Sequence, residues 1–102
     1  MIQEIKIGGH MIKIDENPAR AGTAGVGGFN YGSNEIFIEK SMAQSKKISV
    51  LIHEIFEEIG AQTGADIGHE TLGTLAEYWF QVLTDNPKFV ELLVLNLPGE
   101  IE

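Results

Sequence analysis

His53, Glu54 and Glu57 are the residues whose types and spacing favour chemistry in this sequence. His53 and Glu57 stand four positions apart, so on a helix their side chains project from one face about one turn apart. One metal ion must touch both side chains at ~2.0–2.2 Å, and this spacing allows it. Glu54 then holds the position of the carboxylate that reaches metal-bound water in the His-Glu-x-x-His pattern. Glu57 replaces the second histidine of that pattern, and a glutamate also binds zinc.

A third ligand is expected from the helix that follows. If residues 63–67 form a symmetrical turn, the two helices run antiparallel about its middle. The level of the first two ligands then faces residues 73–77, where Glu77 is the carboxylate. His69 and Glu70 are the alternatives, although both lie nearer the turn. The predicted site therefore comprises three metal ligands, His53, Glu57 and Glu77, and one catalytic residue, Glu54.

The residues before this helix predict a small antiparallel sheet of three strands. Two isoleucine-rich runs on either side of Gly8-Gly9-His10 indicate a β-hairpin with a glycine turn. The alternating residues 35–39 indicate a third strand. The glycine-rich residues 17–34 between the hairpin and the third strand are interpreted as a flexible loop. No glycine-lysine ending of a phosphate loop is present there.

Helical periodicity predicts an antiparallel helix pair and a short C-terminal helix after the sheet. The first helix is expected over about 45–62 and the second over about 69–84. The third begins near Pro87, which suits a first helical turn. The apolar stripe of the first helix is predicted to comprise Ile48, Ile52, Ile55, Phe56 and Ile59. We therefore predict one α+β domain spanning residues 1–102.

The composition excludes several classes of function. The absence of cysteine removes disulfides, thiolate zinc sites and cysteine nucleophiles, and it fits a reducing cytoplasm. Fifteen acidic residues against seven basic ones give a formal charge of −8, whereas a nucleic-acid binder displays a basic stripe. No apolar run approaches the ~18–20 residues that cross a bilayer. We predict a cytoplasmic protein with neither a nucleic-acid nor a membrane partner.

The C-terminal residues 92–97 are mostly leucine and form an apolar run that exceeds the needs of one face of a short helix. This run predicts a homodimer in which it packs against a second subunit. A protein or peptide partner lying along the edge of the small sheet is a further candidate.

Three stretches resemble one known group of proteins. Ser49-Val50-Leu51-Ile52-His53-Glu54, the segment from Leu75-Ala76-Glu77 to Asp85-Asn86-Pro87, and the opening Ile5-Lys6-Ile7-Gly8-Gly9-His10 look like small phage and prophage proteins of the zincin-like, ImmA/IrrE-type group. The resemblance covers most of the chain. It implies a zincin-like fold and a metallopeptidase-like site, with a metal on the His-Glu helix and a glutamate of the next helix as third ligand.

Two departures from that group alter the implied site. Family members have histidine at the position of Glu57, and their downstream glutamate falls at the position of Gly73. The resemblance therefore implies a modified metal site, either rearranged or inactive.

The charges of the ligands affect how well a rearranged site could activate water. Two carboxylates and one neutral imidazole cancel the +2 charge of zinc, so a His-Glu-Glu set should activate water poorly and tolerate harder ions such as manganese or ferrous iron. The alternative is a non-enzymatic binding or structural module without metal, in which the acidic residues form a solvated or partly buried polar cluster.

Overall fold

The computed structural model describes residues 1–16, 27–30 and 34–96, with only the backbone of residues 29 and 30. The strands in this part of the chain are β1 (Glu4–Ile7), β2 (His10–Asp15), β3 (Gly27–Asn30) and β4 (Glu35–Ile38). The helices are α1 (Gln44–Thr63), α2 (His69–Asp85) and α3 (Pro87–Leu95). The predicted α+β class is confirmed, and the bounds of α1 and α2 differ from the predicted ones by at most one residue at each end.

The predicted hairpin joins β1 and β2 through two glycines. Ile7 pairs with His10 in the antiparallel ladder, which leaves Gly8 and Gly9 as the turn. Both have positive φ angles, +57° and +91°, as the tight turn that suits twisted strands requires. The amide of Gln62 occupies the space that a side chain at Gly8 would need. Its Nε2 donates to the carbonyl oxygen of Ile7 at 2.9 Å, so the end of α1 is tied to the hairpin.

The sheet corrects the prediction of three antiparallel strands. Four strands lie in the order β1-β2-β4-β3, and β2 pairs with β4 in parallel, with Ile14 opposite Ile36. Parallel pairing needs a connection of a dozen or more residues, and the chain between these two strands provides it. β3 lies antiparallel to β4 at the sheet edge, inside the predicted loop 17–34. Its Gly27-Gly28 start has little strand propensity, so the sequence pattern did not reveal it. The remainder of that loop, residues 17–26 and 31–33, lies outside the described residues.

The core lies between the sheet and α1, and isoleucine side chains dominate it. Its buried cluster comprises Ile7, Ile12, Ile14, Ile36, Ile38, Val50 and Leu51. The buried residues of α1 are Val50, Leu51, Ile52, Glu54 and Glu58, so two carboxylates are buried together with the apolar side chains. Of the predicted apolar stripe, Ile52 is buried and Ile48, Ile55 and Phe56 are partly buried, whereas Ile59 is exposed. The predicted stripe therefore holds except at Ile59, and it did not include the two buried carboxylates.

The connection between α1 and α2 folds back along α1. Gly64 ends α1 in the left-handed conformation, and its N–H donates to the carbonyl oxygen of Gly60 at 2.9 Å. The carbonyl oxygen of Ala65 lies 3.4 Å from the position that a Cβ atom on Gly60 would take. The connection therefore lies against the helix at Gly60. As a result, the first turn of α2 does not lie beside the last turn of α1 but beside a position nearer to the middle of α1.

α3 leaves the end of α2 after a single residue, Asn86. None of its nine residues is buried, and its contact with α2 includes the edge-to-face rings of Trp79 and Phe89, whose centroids lie 6.1 Å apart. No helix within the described ranges is both long enough and apolar enough to cross a membrane.

Candidate metal site

His53, Glu57 and His69 form one cluster at the junction of α1 and α2. The Nε2 atom of His53 lies 3.5 Å from Oε1 of Glu57, and the Nδ1 atom of His69 lies 3.1 Å from the same oxygen. The two imidazole rings meet edge to face with centroids 5.1 Å apart. One ligand atom from each of the three residues lies within 4.8 Å of the others. Two of the predicted ligands, His53 and Glu57, are therefore joined by one of the two alternatives for the third.

The register of the helix pair explains why His69 takes this position. Because the connection folds back on Gly60, the first residue of α2 lies opposite Glu57, and Gly73 lies opposite His53. The sequence analysis assumed a symmetrical turn, which places residues 73–77 at this level. The observed register is displaced by about one helical turn, roughly 5–6 Å along the axis.

Glu77 and Glu70 line the same pocket as His53, but neither belongs to the cluster. Glu77 lies one helical turn beyond Gly73. It shares a second, shallower pocket with Ser49 and Phe80 near the start of α1. The predicted third ligand therefore lines the pocket but lies eight residues, about two helical turns, beyond His69 on α2.

Gly73 leaves open space beside the cluster. A Cβ atom built on Gly73 would lie 3.7 Å from Cε1 and 3.8 Å from Nδ1 of His53, which is ordinary van der Waals contact. This is the position at which the resemblance implies a glutamate ligand. Because the residue at this position is glycine, His53 remains accessible from the pocket.

Glu54 is buried beside the cluster on the sheet side of α1. Its Oε1 atom lies 3.8 Å from the position that a Cβ atom on Gly27 of β3 would take, so β3 covers this carboxyl group closely. Burial raises the pKa of Glu54 to about 7, and the negative charge of Glu57 adds to the increase. His69 acts in the opposite direction. Near neutral pH this group therefore exchanges a proton easily, as a general acid or base must.

Two members of the cluster, His53 and His69, and the neighbouring Glu54 border an open pocket of about 740 Å³ between α1, α2 and the edge strand. His53, Glu54, His69 and Gly73 lie along it, and so does Lys46 at its far end. Glu57 and His53 are largely covered, whereas the side chain of His69 is 78% exposed. The pocket therefore gives access to the cluster, and its most exposed member can still reorient.

The cluster suits a divalent cation. Ligand atoms held tetrahedrally at ~2.1 Å from zinc lie about 3.4 Å from one another, close to the 3.5 and 3.1 Å distances from Glu57 to the two histidines. The third distance, between the ligand atoms of His53 and His69, is at most 4.8 Å, and the side chain of His69 is exposed. Two neutral imidazoles and one carboxylate leave a charge of +1 on zinc, whereas the predicted His-Glu-Glu set would leave none. The donor set therefore fits zinc better than the predicted one.

Comparison with known proteins gave no match to a family model, to a curated protein or to a solved structure.

Proposed function

We propose that this chain is a zincin-like, phage-type domain in which His53, Glu57 and His69 hold a divalent metal ion, with zinc the preferred one. The observation that carries the proposal is the cluster itself, in which two imidazoles converge on one carboxylate oxygen beside an open pocket. The sequence resemblance supports the same conclusion, since it implies a metal on the His53-Glu54 helix.

Compared with the group that the chain resembles, the proposed site has its carboxylate and its second imidazole on exchanged helices. The carboxylate comes from α1 as Glu57, and the second imidazole comes from α2 as His69. The set of two imidazoles and one carboxylate is retained, and with it the charge of +1. A bound zinc with that charge lowers the pKa of its water toward ~7.

Glu54 is the proposed general base of this site. Its carboxyl group is covered by β3, lines the same pocket as His53 and has a pKa near neutrality. A base of this kind accepts a proton from a water molecule in the pocket and returns it to a leaving group. Peptide hydrolysis is the reaction that the resemblance implies, and Glu54 is the residue on which it would depend.

Calorimetric titration of zinc, manganese and ferrous iron into metal-free protein without a histidine tag tests the proposal. Wild-type protein is expected to bind one zinc ion. Glu57→Gln should abolish binding because it removes the shared carboxylate. Glu70→Gln is the matched control, since Glu70 lines the same pocket outside the cluster.

Glu54→Gln should retain the metal and lose any hydrolysis of peptides, which separates binding from catalysis. If wild-type protein binds none of the three ions, the proposal fails, and the non-enzymatic module that keeps the fold without metal takes its place.

A further inference from the structure

The C-terminal apolar surface is the largest feature of the structure that the metal site does not use. It comprises the exposed side chains of Leu75, Tyr78 and Trp79 on α2 and of Leu92, Leu93, Val94 and Leu95 on α3. On α2, residues 75, 78 and 79 share one helical face because they are three and four positions apart. On α3, four consecutive positions point to all sides of the helix, since each residue turns it by about 100°.

α3 lacks the packing that a helix of its length needs. It has nine residues, none of them buried, while isolated helices shorter than about 12–15 residues are marginal in water. Phe89 and Val90 are only partly covered. Within its own chain, α3 therefore packs on one side only. The leucines of α3 are available to a surface outside the chain.

We propose that this surface is the interface of a homodimer, in which α2 and α3 of one copy pack against the same elements of a second copy. The inference is independent of the proposed metal site.

The exposed area of the surface favours a second copy as its partner. The seven side chains are 38–66% exposed, which at roughly 150–200 Å² for a large side chain amounts to about 600 Å² per chain. Two copies would bury at most about 1,200 Å², reached only if all seven side chains were covered, and this is the lower limit for specific interfaces. An interface of this size fits a dimer that dissociates on dilution.

The charge distribution of the surface suits a second copy and disfavours a membrane. The chain has a formal charge of −8, yet the only charged residues of α3 are Lys88 and Glu91, whose charges cancel. A two-fold interface brings the same patch from both copies together, so an uncharged apolar patch suits it and a charged one would repel itself. Membrane-surface helices carry a polar face rich in lysine and arginine, which α3 lacks. The charge distribution therefore disfavours a lipid surface.

Self-association is tested by light scattering and by fluorescence over a dilution series. Trp79 is the sole tryptophan and lies within the surface, so its emission reports on this interface directly. Wild-type protein is expected to approach twice the monomer mass at roughly millimolar concentration. The Trp79 emission should move to longer wavelength as dilution separates the copies.

Leu95→Glu should raise the dissociation constant roughly 30-fold or more, because it places a charge in an apolar interface. Met11→Glu is the matched control. It adds the same charge at a comparably exposed residue of β2 and should leave the mass unchanged.

A monomer mass at millimolar concentration would overturn the proposal. A dimer that survives Leu95→Glu would do the same, and so would cosedimentation of the monomer with vesicles of zwitterionic and anionic phospholipids. Circular dichroism of both variants verifies that each retains its helices.

Discussion

The Nδ1 atom of His69 lies 3.1 Å from Oε1 of Glu57, although twelve positions and a change of helix separate the two residues. His53 approaches the same oxygen from within α1. The Glu57 carboxylate is hydrogen-bonded to one ring nitrogen of His69 without metal, and together with the two imidazoles it also offers three ligands of the types that zinc binds. Whether the metal-free or the metal-bound state prevails depends on the affinity of the site for metal. The effects of single substitutions on that affinity can be measured.

Replacement of His69 distinguishes the observed register from the one expected from the sequence. His69→Ala should weaken zinc binding roughly 100-fold or more, because it removes one of three proposed ligands. Glu77→Ala should leave the affinity close to that of wild type. Calorimetry on metal-free protein measures both, and the reverse order of effects would restore Glu77 as the third ligand.

Gly73→Glu should increase metal affinity. The new side chain would start within van der Waals contact of His53 and could supply a fourth ligand, and we expect zinc to bind about tenfold more tightly, a gain of roughly 1.4 kcal/mol. Thr71→Glu is the control, since it adds the same charge to α2 at a residue that does not line the pocket. Equal affinities for the two variants would show that charge alone is responsible.

The pKa of Glu54 predicts how the stability of the metal-free protein depends on pH. Because burial raises this pKa from 4.5 to about 7, the folded state holds the proton more tightly than the unfolded state. The free energy of unfolding should therefore decrease as pH rises from about 4.5 to above 7. Allowing for partial solvent screening, we expect this group to contribute about 1–2 kcal/mol.

Glu54→Gln should remove that pH dependence and raise the stability at pH 8, which urea denaturation at several pH values measures. Glu70→Gln alters an exposed carboxylate and should leave the dependence in place. If the two variants give the same curve as wild type, the burial of Glu54 does not govern its protonation.

Gln62 should contribute more to stability than its exposure suggests. Its Nε2 donates to the carbonyl oxygen of Ile7 and to Oε1 of the buried Glu58, each at 2.9 Å. Gln62→Ala is expected to cost about 1–2 kcal/mol, because two buried acceptors lose this donor. Gln81→Ala removes a hydrogen bond to Asp85 on the surface and should cost less than about 0.5 kcal/mol. Thermal denaturation compares the two, and equal losses would contradict a special role for Gln62.

The parts of the fold that periodicity and turn residues specify could be predicted from the sequence. Both long helices and the Gly8-Gly9 turn follow from local patterns, and the structure confirms them. β3 could not be predicted in this way, because it consists of four residues, begins with two glycines and is defined by its pairing with β4. The parallel pairing of β2 and β4 likewise depends on the tertiary structure, because the local sequence of neither strand specifies it.

The candidate site could be predicted in part for the same reason. The spacing of His53 and Glu57 is local, and the structure brings them together. The choice between His69 and Glu77 depended on the register of the two helices, which is a tertiary property of the connection between them. The sequence of that connection does not specify how far it turns back along α1.

The parallel pairing of β2 and β4 also has a consequence for the order in which the molecule assembles. Forming that pair requires closure of the chain over residues 16–34, and such long-range pairing is slow compared with the formation of a helical hairpin. The three proposed ligands lie within residues 53–69, so α1 and α2 can bring them together before the sheet closes. The covering of Glu54 involves β3, β4 and α1, which follow one another in the chain, so it does not require that closure either. In a refolding reaction, metal capture and the change in protonation of Glu54 should therefore both occur earlier than the pairing of β2 with β4.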